Sequence, residues 1–105
     1  MATYKVKLLT PAQRELEEIA QVHMELVGAD SARKITDKIL SSLERLKQYP
    51  SSGSQPRNRW LRDAGFRLVI CGKYIAAYRL IDGTVYVYHI AHGATDYPKL
   101  FKELR

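Results

Sequence analysis

One cysteine, Cys71, stands among the 105 residues, so an internal disulfide is impossible and no thiolate set for a metal exists. Disulfide scaffolds and zinc fingers are thereby excluded, and a metal-free protein of the reducing cytoplasm is the expectation. Long apolar runs are missing too. The longest is a few residues, against the roughly 20 needed to cross a bilayer, and the opening ATYKVK places no apolar run behind a charged start. There is no glycine-rich phosphate loop of either common spacing, no pair of histidines four apart on a helix and no Gly-x-Ser-x-Gly turn. Nucleotide-hydrolysing, zinc-hydrolase and serine-hydrolase classes therefore lack support. Acidic residues are also scarce, with 11 Asp plus Glu against 17 Lys plus Arg and a formal charge of +6.

The position of that charge matters more than its size. Residues 50–79 carry Arg57, Arg59, Arg62, Arg67, Lys73 and Arg79 against Asp63 alone, while the segments on either side are nearly balanced. A concentrated positive stretch suits a polyanion or an acidic protein partner, although a solvated basic face would look the same.

The chain has room for one small domain, residues 1–105. Residues 3–9 alternate Tyr4, Val6 and Leu8 with Lys5 and Lys7, the period of a half-buried strand. Thr10, Pro11 and Gln13 then predict a helix start, as a hydroxyl cap, a proline at the first helical position and a glutamine three residues after the cap. The core stripe of this helix runs through Ala12, Leu16, Ile19, Ala20, His23, Leu26 and Val27, and Gly28 ends it. Asp30 or Ser31 caps a second helix with Ala32, Ile35, Ile39, Leu43 and Leu46 on one face, closed by Tyr49-Pro50. Residues 50–58 form a connection rich in proline, glycine and serine, whose end Trp60 and Leu61 tuck down. From Gly65 the period becomes two, through FRLVIC, a Gly72-Lys73 turn, YIAAYRLI, an Asp82-Gly83 turn and TVYVYHIA. The expected fold is α+β, in the order β-α-α-β-β-β, with a helical hairpin on one face of a twisted antiparallel sheet and the other face partly open. Asp96, Tyr97, Leu100, Phe101 and Leu104 add a short terminal helix or docked tail.

Arginines, histidines and tyrosines spread over the last three strands are the remaining candidates for chemistry. Basic groups neutralise phosphate while rings stack on bases, but the same tyrosines also suit a sheet core. If Phe66 and Leu68 point into the core, Arg67 points away from it; Arg79 reads equally as a structural arginine. His23 lies in the apolar stripe and reads as a core or helix-contact residue. His89 and His92 fall on opposite faces and cannot share a metal or an acid/base pair. His92, beside Gly93 at a strand end, is the better candidate for acid/base work on a ribose 2′-hydroxyl, with Arg67 on the phosphate and no metal required; it serves as well to fix the turn through Asp96. Cys71 reads as a structural thiol.

YKVKLLTPAQRELEEIA, LERLKQYPSSG, the Gly65-Phe66-Arg67 step, GKYIAAYRLIDGTVYVYHIAHG and TDYPKLF, in this order and spacing, resemble the RelE/ParE superfamily of bacterial toxins over nearly the whole chain. The resemblance implies the toxin of a type II toxin-antitoxin pair, arresting growth, neutralised by a cognate antitoxin and needing no cofactor. It also implies one of two targets. RelE-like members cut messenger RNA on the ribosome, which would make Arg67, His92 and Tyr97 the catalytic set. ParE-like members inhibit DNA gyrase, for which the helical hairpin and the C-terminal tail would be the contact surfaces; with either target, Arg57, Arg59, Arg62, Lys73 and Arg79 are the expected nucleic-acid or target-binding residues. Ile75 stands where RelE-like members carry an arginine, and Gly93 to Thr95 lack the basic residue expected there. The Gly-x-Tyr-Ile-x-x-Tyr-Arg strand and the His92-to-Asp96 spacing are similar to the ParE pattern, so the resemblance leans to gyrase. An inactive basic binding module is the third alternative.

Overall fold

The computed structural model describes residues 3–93, which leaves Tyr97 and the expected terminal helix or tail outside the described residues. Strand β1 (Lys5–Leu8) leads into helix α1 (Thr10–Leu26), which doubles back into α2 (Ala29–Glu44) and a single 3-10 turn at Arg45–Lys47. A short helix α3 (Arg59–Asp63) precedes the meander of β2 (Arg67–Cys71), β3 (Tyr74–Ile81) and β4 (Thr84–His92). The sheet order is β1-β4-β3-β2. Two meander junctions follow the expected turns, and at the second both Asp82 (φ 49°) and Gly83 (φ 81°) take the positive φ of a type I′ hairpin.

The sheet is mixed rather than wholly antiparallel. β1 lies parallel to β4, Val6 opposite Val85, because the chain returns to the sheet through the long helical hairpin rather than a tight turn. β1 covers only the first half of β4, and past Val87 the free edge is closed by α1. Leu9 donates its N–H to Val87 O at 3.0 Å, and the Glu15 carboxylate takes over from the strand by accepting the Ile90 N–H at 3.0 Å. The same carboxylate meets His89 Nδ1 at 3.0 Å, so one buried-edge acceptor ties helix to strand. Between these points Tyr88 is an extra, unpaired residue, since Tyr78 faces Val87 while Ala77 faces His89.

Helix starts differ from the expected caps. α1 is preceded by Leu9, which makes no side-chain cap bond, and Thr10 is already helical; Gln13 reaches back to Leu8 O at 2.8 Å instead of closing a capping box. α2 begins directly after Gly28, whose φ of 127° makes the tight reversal possible. Asp30 thus falls inside the first turn, paired with Arg33 at 2.7 Å. α3 was not anticipated from the sequence as a helix; Asn58 caps it by accepting the Leu61 N–H at 3.0 Å.

Both faces of the sheet carry apolar clusters. Ala12, Ile39 and Leu43 from the helical hairpin and Leu46 from the 3-10 turn pack on Tyr78, Val85, Val87 and Ile90, and each fully buried large side chain there contributes roughly 1.5–3 kcal/mol. On the opposite face a smaller cluster joins Leu61, Phe66 and Ala77, with Trp60, Leu68 and Tyr88 around it, so α3 covers part of the face expected to be open. Phe66 and Leu68 belong to this second cluster, whereas Val69 and Cys71 face the helices. The α1 stripe stops at His23: Leu26 and Val27 are 79% and 72% exposed, because the helix overshoots the end of the sheet.

Candidate functional site

The excess positive charge of residues 50–79 does not form one patch. Arg57, Arg59 and Arg62 are exposed on α3 and its approach, with Arg59 Nε 3.6 Å from Asp63 on the same helix. An exposed pair of this kind contributes little, so these three guanidinium groups are available to a partner. Arg79 is committed to the fold: it donates to Tyr88 Oη at 2.6 Å and 3.1 Å and to Ala64 O at 3.2 Å. Its guanidinium lies 5.0 and 5.1 Å from the Phe66 and Tyr88 ring centroids, a planar, stacked arrangement that lysine does not reproduce.

Arg67 opens β2 and turns toward the connection before α3. Its Nη1 donates to Gly53 O at 3.0 Å and Ser51 O at 3.3 Å. Beside it, fully buried Tyr78 donates its hydroxyl to Pro50 O at 2.8 Å and accepts the Gly53 N–H at 2.9 Å. Burial pushes the Tyr78 phenol above its ordinary value, an effect that the Gly53 hydrogen bond and the Arg67 charge oppose. Two hydrogen bonds between Ser54 and Leu68, each 2.8 Å, complete the latch. Burial likewise raises the Cys71 thiol, with Ser42 and Arg45 acting against it, as suits an inert structural cysteine.

His92 lies at the other end of the sheet. It pairs with Tyr74 across β3 and β4, whereas Arg67 pairs with Tyr78 across β2 and β3; four residues, about 13 Å, separate the two positions along the strands, and β3 lies between them. The structure therefore does not bring Arg67 and His92 to one phosphate. Instead it brings His92 to a cleft of about 850 Å³ between the α1–α2 turn, the Gly72-Lys73 turn and the end of β4. The Tyr74 and His92 rings meet edge to face at 5.5 Å, and on its other side the Tyr74 hydroxyl is 3.3 Å from His23 Nε2. His23 Nδ1 is 3.3 Å from Ser31 Oγ. Lys34, Lys38 and Lys73 also line the cleft, which separates Lys73 from the arginines of α3. Among the described residues no group of His, Cys, Asp or Glu is arranged to hold a metal.

Sequence reasoning singled out His92 and Lys73 but missed their company. A histidine inside an otherwise apolar stripe, one turn before Gly28, was the available signal for His23. Lys34 and Lys38 share a helix flank at i, i+4, but that their flank faces the Gly72-Lys73 turn is a tertiary fact.

With this geometry established, the family model described as the ParE toxin of the type II toxin-antitoxin system parDE matches residues 6–97. No curated protein matches the chain by sequence. Among solved structures, the chromosomal ParDE toxin-antitoxin system of P. aeruginosa is similar in fold, with a TM-score of 0.72 at 18% identity over 88% of this chain and 98% of that one. The RelBE2 toxin-antitoxin complex of Mycobacterium tuberculosis contains a chain with a TM-score of 0.63 at 22% identity, over 86% and 98% respectively.

Proposed function

The chain belongs to the ParE toxin family of type II toxin-antitoxin systems, and from that premise we propose that it arrests growth in the cytoplasm by inhibiting DNA gyrase and is neutralised by a cognate antitoxin. The observation that carries the choice of target is the distance between Arg67 and His92. A metal-independent ribonuclease needs its phosphate-binding and acid/base groups within hydrogen-bond reach of one scissile linkage. Here they are about 13 Å apart along the strands and two strand spacings apart across them, roughly 16 Å in all, and Arg67 is spent on the carbonyls of residues 51 and 53. Arg79 is held by Tyr88 and Ala64. Ile75 puts an apolar side chain where RelE-like members carry an arginine. What is left for a macromolecular partner is surface: the exposed Arg57, Arg59 and Arg62, and the exposed Val22, Leu26 and Val27 at the tip of the helical hairpin. That both solved relatives are toxin-antitoxin systems supports an antitoxin as the second partner.

Inducing the chain without antitoxin while mapping transcript ends and gyrase-dependent DNA breaks in the same cells tests the reading. Breaks or lost supercoiling with intact messages are expected, and changing Arg57, Arg59 and Arg62 together to alanine should weaken them. Codon-phased cleavage of translated messages, abolished by His92→Ala, would instead establish the RelE-like nuclease.

A further inference from the structure

That proposal touches the cleft at the tip of the helical hairpin only through Val27 on its rim. Its lining is cationic. Lys34 and Lys38 stand one helical turn apart on α2, Lys73 comes from the β2–β3 turn, and the one carboxylate of the lining among the described residues, Asp30, is already held by Arg33 at 2.7 Å. Lys38 lies along the turn so closely that a Cβ on Gly72 would sit 3.1 Å from its Cε, and the φ of +70° at Gly72 admits glycine. The ammonium groups thus flank a floor of different chemistry, where Tyr74 stands between His23 and His92. Val27 and Ile35 supply apolar wall. A volume of about 850 Å³ falls in the range of sites that take small organic ligands.

We propose that this cleft binds a nucleoside diphosphate or triphosphate, with Lys34, Lys38 and Lys73 on the phosphates and the base against Tyr74 and its flanking imidazoles. Each part of the ligand follows from one part of the lining. Lys34 and Lys38 at i, i+4, with Cβ atoms roughly 6 Å apart, can converge on one polyphosphate, and Lys73 of the adjoining turn lines the same cleft. An inorganic polyanion would leave Tyr74, Val27 and Ile35 unused, whereas a planar base stacks on an aromatic face whatever its identity. His23, Ser31 and Tyr74 form a chain of polar groups that can each donate or accept, suited to the edge of a base or a ribose hydroxyl. The site is separate from the arginines of α3 and does not depend on which target the toxin acts on.

The test is titration of the purified full chain with ADP, read by calorimetry and by amide chemical shifts. ADP should bind, with shifts concentrated at Gly28, Gly72 and Lys73 and none at Gly83 on the opposite hairpin. Lys34→Gln combined with Lys38→Gln, both at exposed positions, should weaken binding at least about tenfold, while Lys5→Gln combined with Lys7→Gln removes the same charge from β1 and should leave it unchanged. Adenosine and pyrophosphate should each bind more weakly than ADP. The proposal is overturned if ADP fails to bind at millimolar concentration, if the two double variants weaken it equally, or if pyrophosphate or hexaglutamate binds as tightly as ADP, since the cleft would then be a generic anion or acidic-peptide surface.

Discussion

Replacing Gly53 by alanine tests the latch that joins the 50–58 connection to the sheet. The φ of Gly53 is not in the left-handed region, so alanine suffers no backbone strain there and any cost comes from space. A Cβ would stand 2.5 Å from Tyr78 Oη, 2.8 Å from Tyr78 Cε1 and 2.7 Å from the carbonyl oxygen of Leu68. Tyr78 is fully buried and Leu68 O is main chain within β2, so neither gives way cheaply; the connection must lift instead. Overpacking of this kind costs about 1–3 kcal/mol. Lifting also strips the Tyr78 hydroxyl of its bonds to Pro50 O and Gly53 N, adding about 1–3 kcal/mol for a buried polar group left unpaired. Together these give about 2–6 kcal/mol, measured by urea unfolding with the midpoint and slope fitted jointly. Gly83→Ala is the control, since its Cβ meets open space and only the φ of 81° penalises it, by about 1–2 kcal/mol. Combining Gly53→Ala with Tyr78→Phe should recover part of the loss, because the hydroxyl contact disappears while that with Leu68 O remains. A Gly53→Ala protein within about 0.5 kcal/mol of the parent would refute the latch as a rigid, close-packed element.

Glu15→Ala removes the acceptor of the Ile90 N–H and the carboxylate beside His89 and should cost about 1–3 kcal/mol, whereas Glu15→Gln, which keeps a carbonyl oxygen, should cost less; chemical denaturation of both variants distinguishes them. The raised Tyr78 phenol has a definite sign: above pH about 10, the ordinary value, the unfolded chain releases the proton while the folded one keeps it, so stability falls as pH rises. Tyr78→Phe should therefore show a shallower alkaline decline than the parent when unfolding is followed between pH 9 and 11. Arg79→Lys keeps the charge but loses the forked contacts to Tyr88 and Ala64, and a melting temperature equal to the parent's would contradict the structural role given to this arginine.

The amino-acid sequence by itself determined the order of elements and most of their faces. The apolar positions of α2 at 32, 39 and 43 are buried and Ile35 is partly so, as their spacing requires, because a 3.6-residue period leaves one stripe to hide, and Leu46 continues the stripe in the 3-10 turn. The meander strands and their turns were likewise legible, since period-two patterning and glycine at positive φ are local properties. Tertiary structure decided what depends on meetings between distant segments. It set β1 parallel beside β4, covered the second face of the sheet with α3, and gave Glu15 the free edge of β4. It also sorted the basic residues, which sequence could only count: Arg67 and Arg79 are bound to carbonyls and rings, Arg57, Arg59 and Arg62 remain exposed, and Lys73 belongs with His23, Tyr74 and His92 at the far end. A guanidinium's partner is fixed by which carbonyl or ring the folded chain carries to within 3 Å of it, and periodicity holds no information about that.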